Sequence, residues 1–185
     1  MPARKVEEDD LLRSLTRVFQ DHGFEGASLT RIRDATGLEK PSLYHRFPRG
    51  KEQMAEAVLA NAGKTFGEHV LQPLFQPGPP AARVKETGKR IAAFYQNGER
   101  SCLLDTLSLP DGGAKVRSAA RTAYESWRDA FAKIARESGA TPKTAAKRAE
   151  QAIIRIEGAL VVARVSGDRK PFLEVIHQLP DLLLA

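Results

Sequence analysis

The stretch GLEKPSLYHRFPRGKEQM, residues 37–54, decides the fold of the N-terminal part of this chain. It contains a glycine that suits a tight turn, a proline that suits the first turn of a helix, and many aromatic and basic side chains. The preceding stretch, SLTRIRDAT (28–36), begins with a serine, which favours the N-cap of a helix. Two short helices joined by a glycine turn are typical of a helix-turn-helix. The sequence therefore predicts this motif over residues 28–47.

The later helix of the motif, PSLYHRF (41–47), is too short to be stable by itself. Five apolar side chains are expected to pack the motif against the first helix of the chain: Leu29, Ile32, Ala35, Leu38 and Leu43. The polar and aromatic side chains left outside this core are Lys40, Ser42, Tyr44, His45 and Arg46. Such a face on so short a helix indicates an external partner.

Double-stranded DNA suits that face. The major groove admits one helix, and side chains at the leading end of the helix reach the base edges. Lys40 and Ser42 lie at this end, so we expect them to approach the bases. Tyr44 and His45 can hydrogen-bond phosphates from the flank, which fixes the register of the protein on the duplex.

Two helix starts offer further phosphate contacts. Thr30 lies at the start of the 28–36 helix, and Lys51 begins the next one, where free backbone N–H groups favour an anion. The net charge of +6 does not itself identify DNA, because residues 1–60 carry ten basic and ten acidic residues. Residues 28–51, however, carry six basic residues and two acidic ones. This local basic patch supports contact with a polyanion.

The composition is that of an ordinary globular protein, with 42% hydrophobic and 28% charged residues. No run of about 18 apolar residues occurs, so a membrane partner is not expected. The first ten residues, MPARKVEEDD, are acidic where a signal peptide would be apolar. A single cysteine allows no intrachain disulfide. These features predict a cytoplasmic protein.

Motifs of an enzyme or of a cofactor site are missing from the sequence. None of the four histidines forms a metal-binding pair of the HExxH kind, and neither GxSxG nor a phosphate-binding glycine loop occurs. Cys102 has two interpretations. Its neighbour Arg100 could lower the pKa of the thiol and make it a redox sensor, but the two leucines that follow favour a small buried residue. We expect no metal, no cofactor and no enzymatic activity.

Hydrophobic periodicity predicts an all-α fold of about nine helices, with an N-terminal three-helix helix-turn-helix domain and a larger C-terminal helical bundle. The first helix is expected to end at Gly23, and the fourth to run from Lys51 to about Val70, before the proline-rich stretch 72–80. Further helices are predicted over 80–97, 101–109, 113–138, 142–166 and 171–184. We place a domain boundary at residue 60, between an N-terminal domain of residues 1–60 and a C-terminal domain of residues 61–185.

Residues 6–60 resemble the DNA-binding domain of the tetracycline-repressor (TetR) family of bacterial transcription regulators. The resemblance rests above all on the pattern GLxKxSLYHxFPxGKE in residues 37–52. It implies that Tyr44, His45 and Lys51 contact DNA phosphates. Ala27 stands where a threonine is common, and Arg33 replaces a usual small residue. Arg33 either adds a phosphate contact or is solvated.

Two later segments, SCLLDTLSL (101–109) and IEGALVVARVSGDRKPF (156–172), resemble a TetR branch linked to drug-responsive repressors. That branch, marked here by the FPxGKE and CLL motifs, implies a helical domain that binds a small-molecule effector. The residues expected to line the effector pocket are Phe66, Phe94, Leu103, Leu107, Tyr124, Trp127 and Phe131. Ordinary core packing is the alternative for each of them.

The resemblance also implies that residues 1–60 are the DNA-binding domain and residues 61–185 the ligand-binding and dimerisation domain. The last two helices of the latter are expected to dimerise as a four-helix bundle. The interface is expected to include Ala152, Ile156, Ala159, Val162, Phe172, Val175, Ile176 and Leu179. An intrachain core is the alternative. Gly158 favours an interface, because a glycine inside a helix costs about 1 kcal/mol relative to alanine, which a close helix–helix approach offsets.

These features together predict a dimeric, ligand-responsive transcriptional repressor that binds a palindromic DNA operator. Effector binding would favour a conformation in which the fourth helix moves and the two recognition helices no longer match the DNA. The alternatives are an architectural DNA binder, or a helical protein-interaction module, without ligand control. A small helical enzyme is the least favoured class.

Overall fold

The computed structural model describes residues 7–107 and 113–185, and every regular element within them is helical. The α-helices are α1 Glu8–Gly26, α2 Leu29–Thr36, α3 Lys40–Arg46, α4 Lys51–Thr65, α5 Pro80–Phe94, α6 Leu103–Leu107, α7 Gly113–Glu137, α8 Pro142–Ser166, α9 Lys170–His177 and α10 Leu179–Leu184. A π-helical turn, Phe66–Val70, directly follows α4, and 3-10 turns cover Gln72–Phe75 and Gln96–Gly98. The predicted all-α fold is confirmed.

Capping residues explain where several helices begin and end. The Ser28 hydroxyl accepts a hydrogen bond from the backbone N–H of Arg31 at 3.3 Å, and so caps α2. Thr141 caps α8 in the same way, with a distance of 3.2 Å to the N–H of Thr144. At the end of α2, Gly37 has φ 67° and ψ 14°, a left-handed conformation that glycine adopts without steric penalty.

Several helix bounds differ from the predictions. Helix α4 ends at Thr65, and the π-helical turn occupies the rest of its predicted length, to Val70. The backbone does break at Gly23, but α1 resumes for one more turn and ends at Gly26. Helix α5 ends at Phe94, before the positive φ angles of the next turn. The predicted helix 171–184 is two helices, because Pro180 has no N–H with which to continue the first. The end of the predicted helix 101–109 lies outside the described residues.

The chain divides into two compact units by its internal contacts. The first comprises the chain up to Gly63 together with Leu103–Ala123, and the second comprises Lys64–Cys102 together with Tyr124–Ala185. The division therefore groups α6 with α1, against which it packs. The functional boundary at residue 60 stays a prediction.

The first unit has one hydrophobic core, to which α1 to α4, α6 and the start of α7 contribute. Its fully buried members include Leu11, Leu15, Phe19, Ile32, Leu43, Met54, Val58, Leu107 and Val116. Burial of these side chains supplies the stability that seven-residue α3 lacks by itself. The core thus holds the helix-turn-helix in place from behind.

In the second unit, α8 packs against α9 and α10, and α5 packs against α9 and α10. The buried residues of these helices include Val84, Ile91, Ala149, Ile153, Phe172, Leu179 and Leu183.

Among the helices described, none is both long and apolar enough to cross a membrane.

Candidate nucleic-acid interface

Helices α2 and α3 form the predicted helix-turn-helix. Ile32, Leu38 and Leu43 are buried, as expected, and Leu29 is half-buried. Ala35 is exposed, which corrects the assignment of that residue to the core.

Thr36 is buried instead of Ala35. Its hydroxyl donates to the carbonyl of Ile32 at 2.7 Å and accepts from the N–H of Leu38 at 3.3 Å. These two hydrogen bonds offset the desolvation of the hydroxyl and tie the end of α2 to the turn. Threonine counts as a polar residue, so the sequence gives no signal that Thr36 is buried.

The side chains predicted to face DNA lie on the open side of α3. Lys40, Tyr44 and His45 are exposed, and Ser42 is half-exposed. Lys40 and Ser42 are the first and third residues of α3, so they do stand at its N-terminal end. The Lys40 ammonium lies 5.9 Å from the centroid of the Tyr44 ring, within the range of a weak cation–π contact.

Tyr44 is positioned by the turn between α3 and α4. A Cβ at Gly50 would lie 3.4 Å from Tyr44 Cε1, so the ring packs directly against this glycine. Gly50 has φ 64°, and its N–H donates to the carbonyl of Phe47 at 2.8 Å. The turn therefore holds the ring from one side, while 39% of the Tyr44 surface remains accessible.

Lys51 begins α4, where the helix dipole and the first backbone N–H groups favour an anion. Its ammonium lies 4.4 Å from the centroid of the Phe24 ring and 3.9 Å from a carboxylate oxygen of Glu25. The Glu25 side chain is 68% exposed, so its attraction for Lys51 is screened by solvent. A phosphate can therefore compete with Glu25 for this ammonium.

Two arginines near the motif are paired with carboxylates. Arg33 donates to Asp34 from Nε at 3.0 Å and from Nη2 at 2.8 Å, and these hydrogen bonds raise the pKa of the Arg33 guanidinium. Arg49 makes a similar two-point contact with Glu56, at 3.0 and 2.7 Å. The pairing of Arg33 leaves both of its predicted roles, phosphate contact and solvation, open.

Thr30 is exposed in the first turn of α2, as a phosphate contact requires.

Three helix starts therefore carry most of the predicted DNA contacts: Thr30 on α2, Lys40 and Ser42 on α3, and Lys51 on α4. Tyr44 and His45 follow on the exposed side of α3. This set provides hydroxyl donors, an imidazole and ammonium groups on a rigid support. Such a set suits hydrogen bonds to phosphates and base edges.

The residues predicted for an effector pocket fall into two groups. Phe66, Phe94, Trp127 and Phe131 are joined by ring contacts in the second unit. Leu103 and Leu107 lie in the core of the first unit. This placement matches the alternative of ordinary core packing for these two leucines.

Tyr124 is half-buried, and its ring lies 5.8 Å from the Arg128 guanidinium. Two aromatic residues outside the predicted pocket, Tyr95 and Phe172, extend the ring contacts of Phe66 and Phe94. Their position depends on tertiary packing, which sequence spacing does not reveal.

The residues predicted for a dimer interface are divided by burial. Five of them are buried within the chain, as the alternative of an intrachain core expects: Ala152, Ile156, Ala159, Phe172 and Leu179. Val175 and Ile176 are half-buried, and Val162 is 50% exposed. The exposed apolar side chains of α8 also include Ile154, Val161 and Val165, which sequence reasoning missed. Helix α8 is apolar on more than one side, so periodicity could not separate its inner face from its outer one.

Cys102 is buried, and its sulfur accepts a hydrogen bond from the Tyr95 hydroxyl at 3.3 Å. This environment fits the small buried residue rather than an accessible sensor. Across residues 7–107 and 113–185, no group of three His, Cys, Asp or Glu side chains is arranged to hold a metal ion.

Comparison of the sequence with known protein families identifies two matching regions. Residues 11–58 match the family described as bacterial regulatory proteins, tetR family. Residues 77–178 match the C-terminal domain of LmrA/YxaF-like transcriptional regulators. The chain is 26% identical over 187 residues to the uncharacterized HTH-type transcriptional regulator YxaF of Bacillus subtilis, covering 99% of this chain and 98% of that protein.

Solved structures share the fold. A TetR transcriptional regulator from Legionella pneumophila superimposes with a TM-score of 0.84 at 20% identity, covering 95% of this chain and 96% of the other. The TetR-family regulator CifR, in a cysteine mutant complexed with 26-bp operator DNA, superimposes with a TM-score of 0.78 at 24% identity, covering 96% and 97%. The chain belongs to the TetR family of bacterial transcriptional regulators, with a tetR-type DNA-binding domain followed by an LmrA/YxaF-like C-terminal domain.

Proposed function

We propose that this protein is a dimeric transcriptional repressor that binds a palindromic operator and releases it when a small-molecule effector binds. The observation that carries the proposal is the exposed face of α3, with Ser42, Tyr44 and His45, next in the chain to the Lys51 start of α4. The operator complex of the structurally similar CifR supports the same use of this fold.

In this proposal the side chains of the motif have separate tasks. Lys40 and Ser42 read base edges from the leading end of α3, since only groups in the groove can specify sequence. Tyr44, His45, Thr30 and Lys51 hold phosphates and set the register. Arg33 contributes to the phosphate contacts only if DNA displaces Asp34 from its guanidinium.

Dimerisation is supported by a stripe of residues along α8 that we call the α8 seam: Gln151, Ile154, Gly158, Val161 and Val165. All five are exposed, and their spacing of three and four residues matches the seam of a helix pair. A Cβ at Gly158 would meet no atom within 4 Å, so the backbone there is open to a close approach. A second copy of the chain, related by two-fold symmetry, would cover this apolar surface.

The two-fold axis also predicts the form of the operator. Two recognition helices related by such an axis contact half-sites about 34–36 Å apart or a multiple of that distance, so the operator would be an inverted repeat. The same symmetry explains why one chain would recognise only half of the site.

Effector control is supported by two features. The LmrA/YxaF-like domain contains the connected aromatic side chains Phe66, Phe94, Trp127 and Phe131. Helix α4, whose first residue is a proposed phosphate contact, continues without a break past Ala60 to Thr65. Ligand binding near Phe66 could therefore shift the population of α4 conformations, as the proposed release requires. A regulator of bacterial DNA would work in the cytoplasm.

Selection of binding sites from a random double-stranded library, combined with sedimentation of the recovered complex, tests the proposal. We expect an inverted repeat and two chains per site. Binding without sequence preference would favour the architectural alternative. Failure to retain any DNA at low salt would favour the interaction-module alternative.

A further inference from the structure

Six aromatic side chains of the second unit are linked in one chain of contacts, which we call the ring cluster: Phe66, Phe94, Tyr95, Trp127, Phe131 and Phe172. The Phe66 centroid lies 4.9 Å from that of Trp127 and 5.2 Å from that of Phe94. Trp127 lies 5.9 Å from Phe131. Edge-to-face arrangements prevail, which is the geometry that the ring quadrupoles favour.

The ring cluster has an inner and an outer part. Tyr95, Trp127, Phe131 and Phe172 are at most 3% exposed. Phe66 and the Phe94 ring beside it are half-buried. The outer pair therefore lies between solvent and the buried rings, where a ligand would enter.

The two buried polar groups of the ring cluster, the Tyr95 hydroxyl and the Trp127 indole N–H, differ in whether they have a hydrogen-bond partner. The Tyr95 hydroxyl donates to Cys102 Sγ at 3.3 Å, and burial raises the pKa of Tyr95 well above its ordinary value. The Trp127 indole Nε1 is also buried, but it has no hydrogen-bond partner among the described residues. A buried donor without an acceptor is unfavourable, and such groups are rare enough in folded proteins to require an explanation.

We infer that the ring cluster binds an uncharged aromatic molecule whose hydrogen-bond acceptor meets the Trp127 indole N–H. This inference rests on the proposed effector response and specifies the chemistry of the effector. The rings favour a flat aromatic body through stacking and edge contacts. The orphaned N–H requires an oxygen or nitrogen lone pair, which a cationic ammonium does not offer.

The position of Phe66 connects ligand binding at the ring cluster to helix α4, because Phe66 directly follows that helix. Phe66 opens the π-helical turn Phe66–Val70, and its carbonyl accepts the hydrogen bond from the N–H of Leu71 at 2.9 Å. Isolated π turns occur frequently at functional sites. A ligand that displaces the Phe66 ring from Trp127 therefore acts on the residue immediately after α4.

Trp127 is the only tryptophan of the chain, so its fluorescence reports on the site directly. The probes are 1-indanone, which carries a carbonyl acceptor, its parent hydrocarbon indane, and the cation 1-aminoindane. Each is titrated into the full-length protein while the Trp127 emission and the thermal unfolding temperature are recorded. We expect 1-indanone to bind about five- to tenfold more tightly than indane, the gain from one buried hydrogen bond.

Trp127→Phe is the decisive variant, because it keeps a ring and removes the N–H. Its binding is measured by calorimetry and by the ligand-induced rise in unfolding temperature. The advantage of 1-indanone over indane should disappear, while indane binds as before. The unliganded variant should lose stability only through the smaller buried ring, because no hydrogen bond is broken. Phe75→Leu, at an exposed ring outside both the ring cluster and the predicted pocket, is the control and should keep the advantage.

Several outcomes would overturn the inference: no saturable emission change with 1-indanone or indane, an advantage that survives in Trp127→Phe, or tightest binding of 1-aminoindane. Operator release is measured separately by fluorescence anisotropy. A probe that binds with the predicted pattern but never releases DNA would refute the proposed effector control and leave the site intact. Release by a ligand that binds wild type and Trp127→Phe equally would refute the site and leave the control intact.

Discussion

The ring of Tyr44 rests on Gly50, where an added methyl carbon would lie 3.4 Å from Tyr44 Cε1. Gly50 also has φ 64°, which residues other than glycine rarely adopt. Gly50→Ala should therefore destabilise the protein by roughly 1 kcal/mol and weaken DNA binding, because the strained turn and the added methyl group both bear on the Tyr44 ring. Thermal unfolding and fluorescence anisotropy with operator DNA measure the two effects.

Gly37→Ala is the matched control for Gly50→Ala. Gly37 has φ 67°, but a Cβ there would meet nothing within 4 Å. We expect a similar loss of stability and a smaller loss of DNA affinity. Equal losses of affinity in the two variants would contradict the positioning of Tyr44 by Gly50.

The Tyr44 hydroxyl is predicted to contact a phosphate. Tyr44→Phe keeps the packing against Gly50 and removes only this group, so it should weaken binding to every DNA sequence by about five- to tenfold, the value of one hydrogen bond. Competition titrations with several operators and with unrelated DNA test this expectation. A selective loss for one sequence would instead assign the hydroxyl to base recognition.

Lys51→Ala should also weaken binding to all sequences alike. The slope of log affinity against log salt concentration should become shallower by about one unit, since one phosphate contact is removed. Glu25→Gln is the complementary variant, because it frees the Lys51 ammonium from the carboxylate at 3.9 Å and should raise the affinity slightly. An unchanged salt slope in Lys51→Ala would remove Lys51 from the interface.

Ser42 is predicted to read bases, and Ser42→Ala should therefore change which sequences are preferred. Comparison of wild-type and Ser42→Ala binding across single-base variants of the operator measures this change. We expect about 1–3 kcal/mol of altered discrimination, confined to one base pair in each half-site. A uniform loss at every position would show that Ser42 contacts only the backbone.

Val161→Glu should break the proposed dimer, because it places a charge in the apolar α8 seam. Sedimentation at micromolar concentration should then show monomers with unchanged helix content by circular dichroism. Phe75→Glu is the control, since Phe75 is 53% exposed but lies outside α8. Dimers that persist in Val161→Glu would place the interface elsewhere.

Local chemistry made much of the fold predictable. Ser28 is predictable as an N-cap and Gly37 as the glycine of the turn, because each role depends on the residue itself and its immediate neighbours. The helix-turn-helix was predictable for the same reason. The division of the last helix followed from Pro180, which the apolar pattern around it concealed.

Properties that depend on tertiary packing were harder to predict. Ala35 was expected to be buried and is exposed. Thr36 is buried in its place, because two hydrogen bonds offset the cost of burying its hydroxyl. Leu107 looks like any pocket-lining leucine in sequence, yet it lies in the core of the first unit. Ile156 and Val161 are both apolar residues of α8, and only their packing shows that one is buried and the other exposed.

The central claim is tested most directly by titrating the purified protein against the DNA upstream of its own gene, at low and moderate salt, with competitor DNA present. We predict a discrete, competitor-resistant complex containing two chains per site, whose affinity falls steeply as salt is raised. Lys51→Ala, measured beside it, should form the same complex more weakly. Absence of any complex with DNA at either salt concentration would contradict the assignment of α3 as a recognition helix.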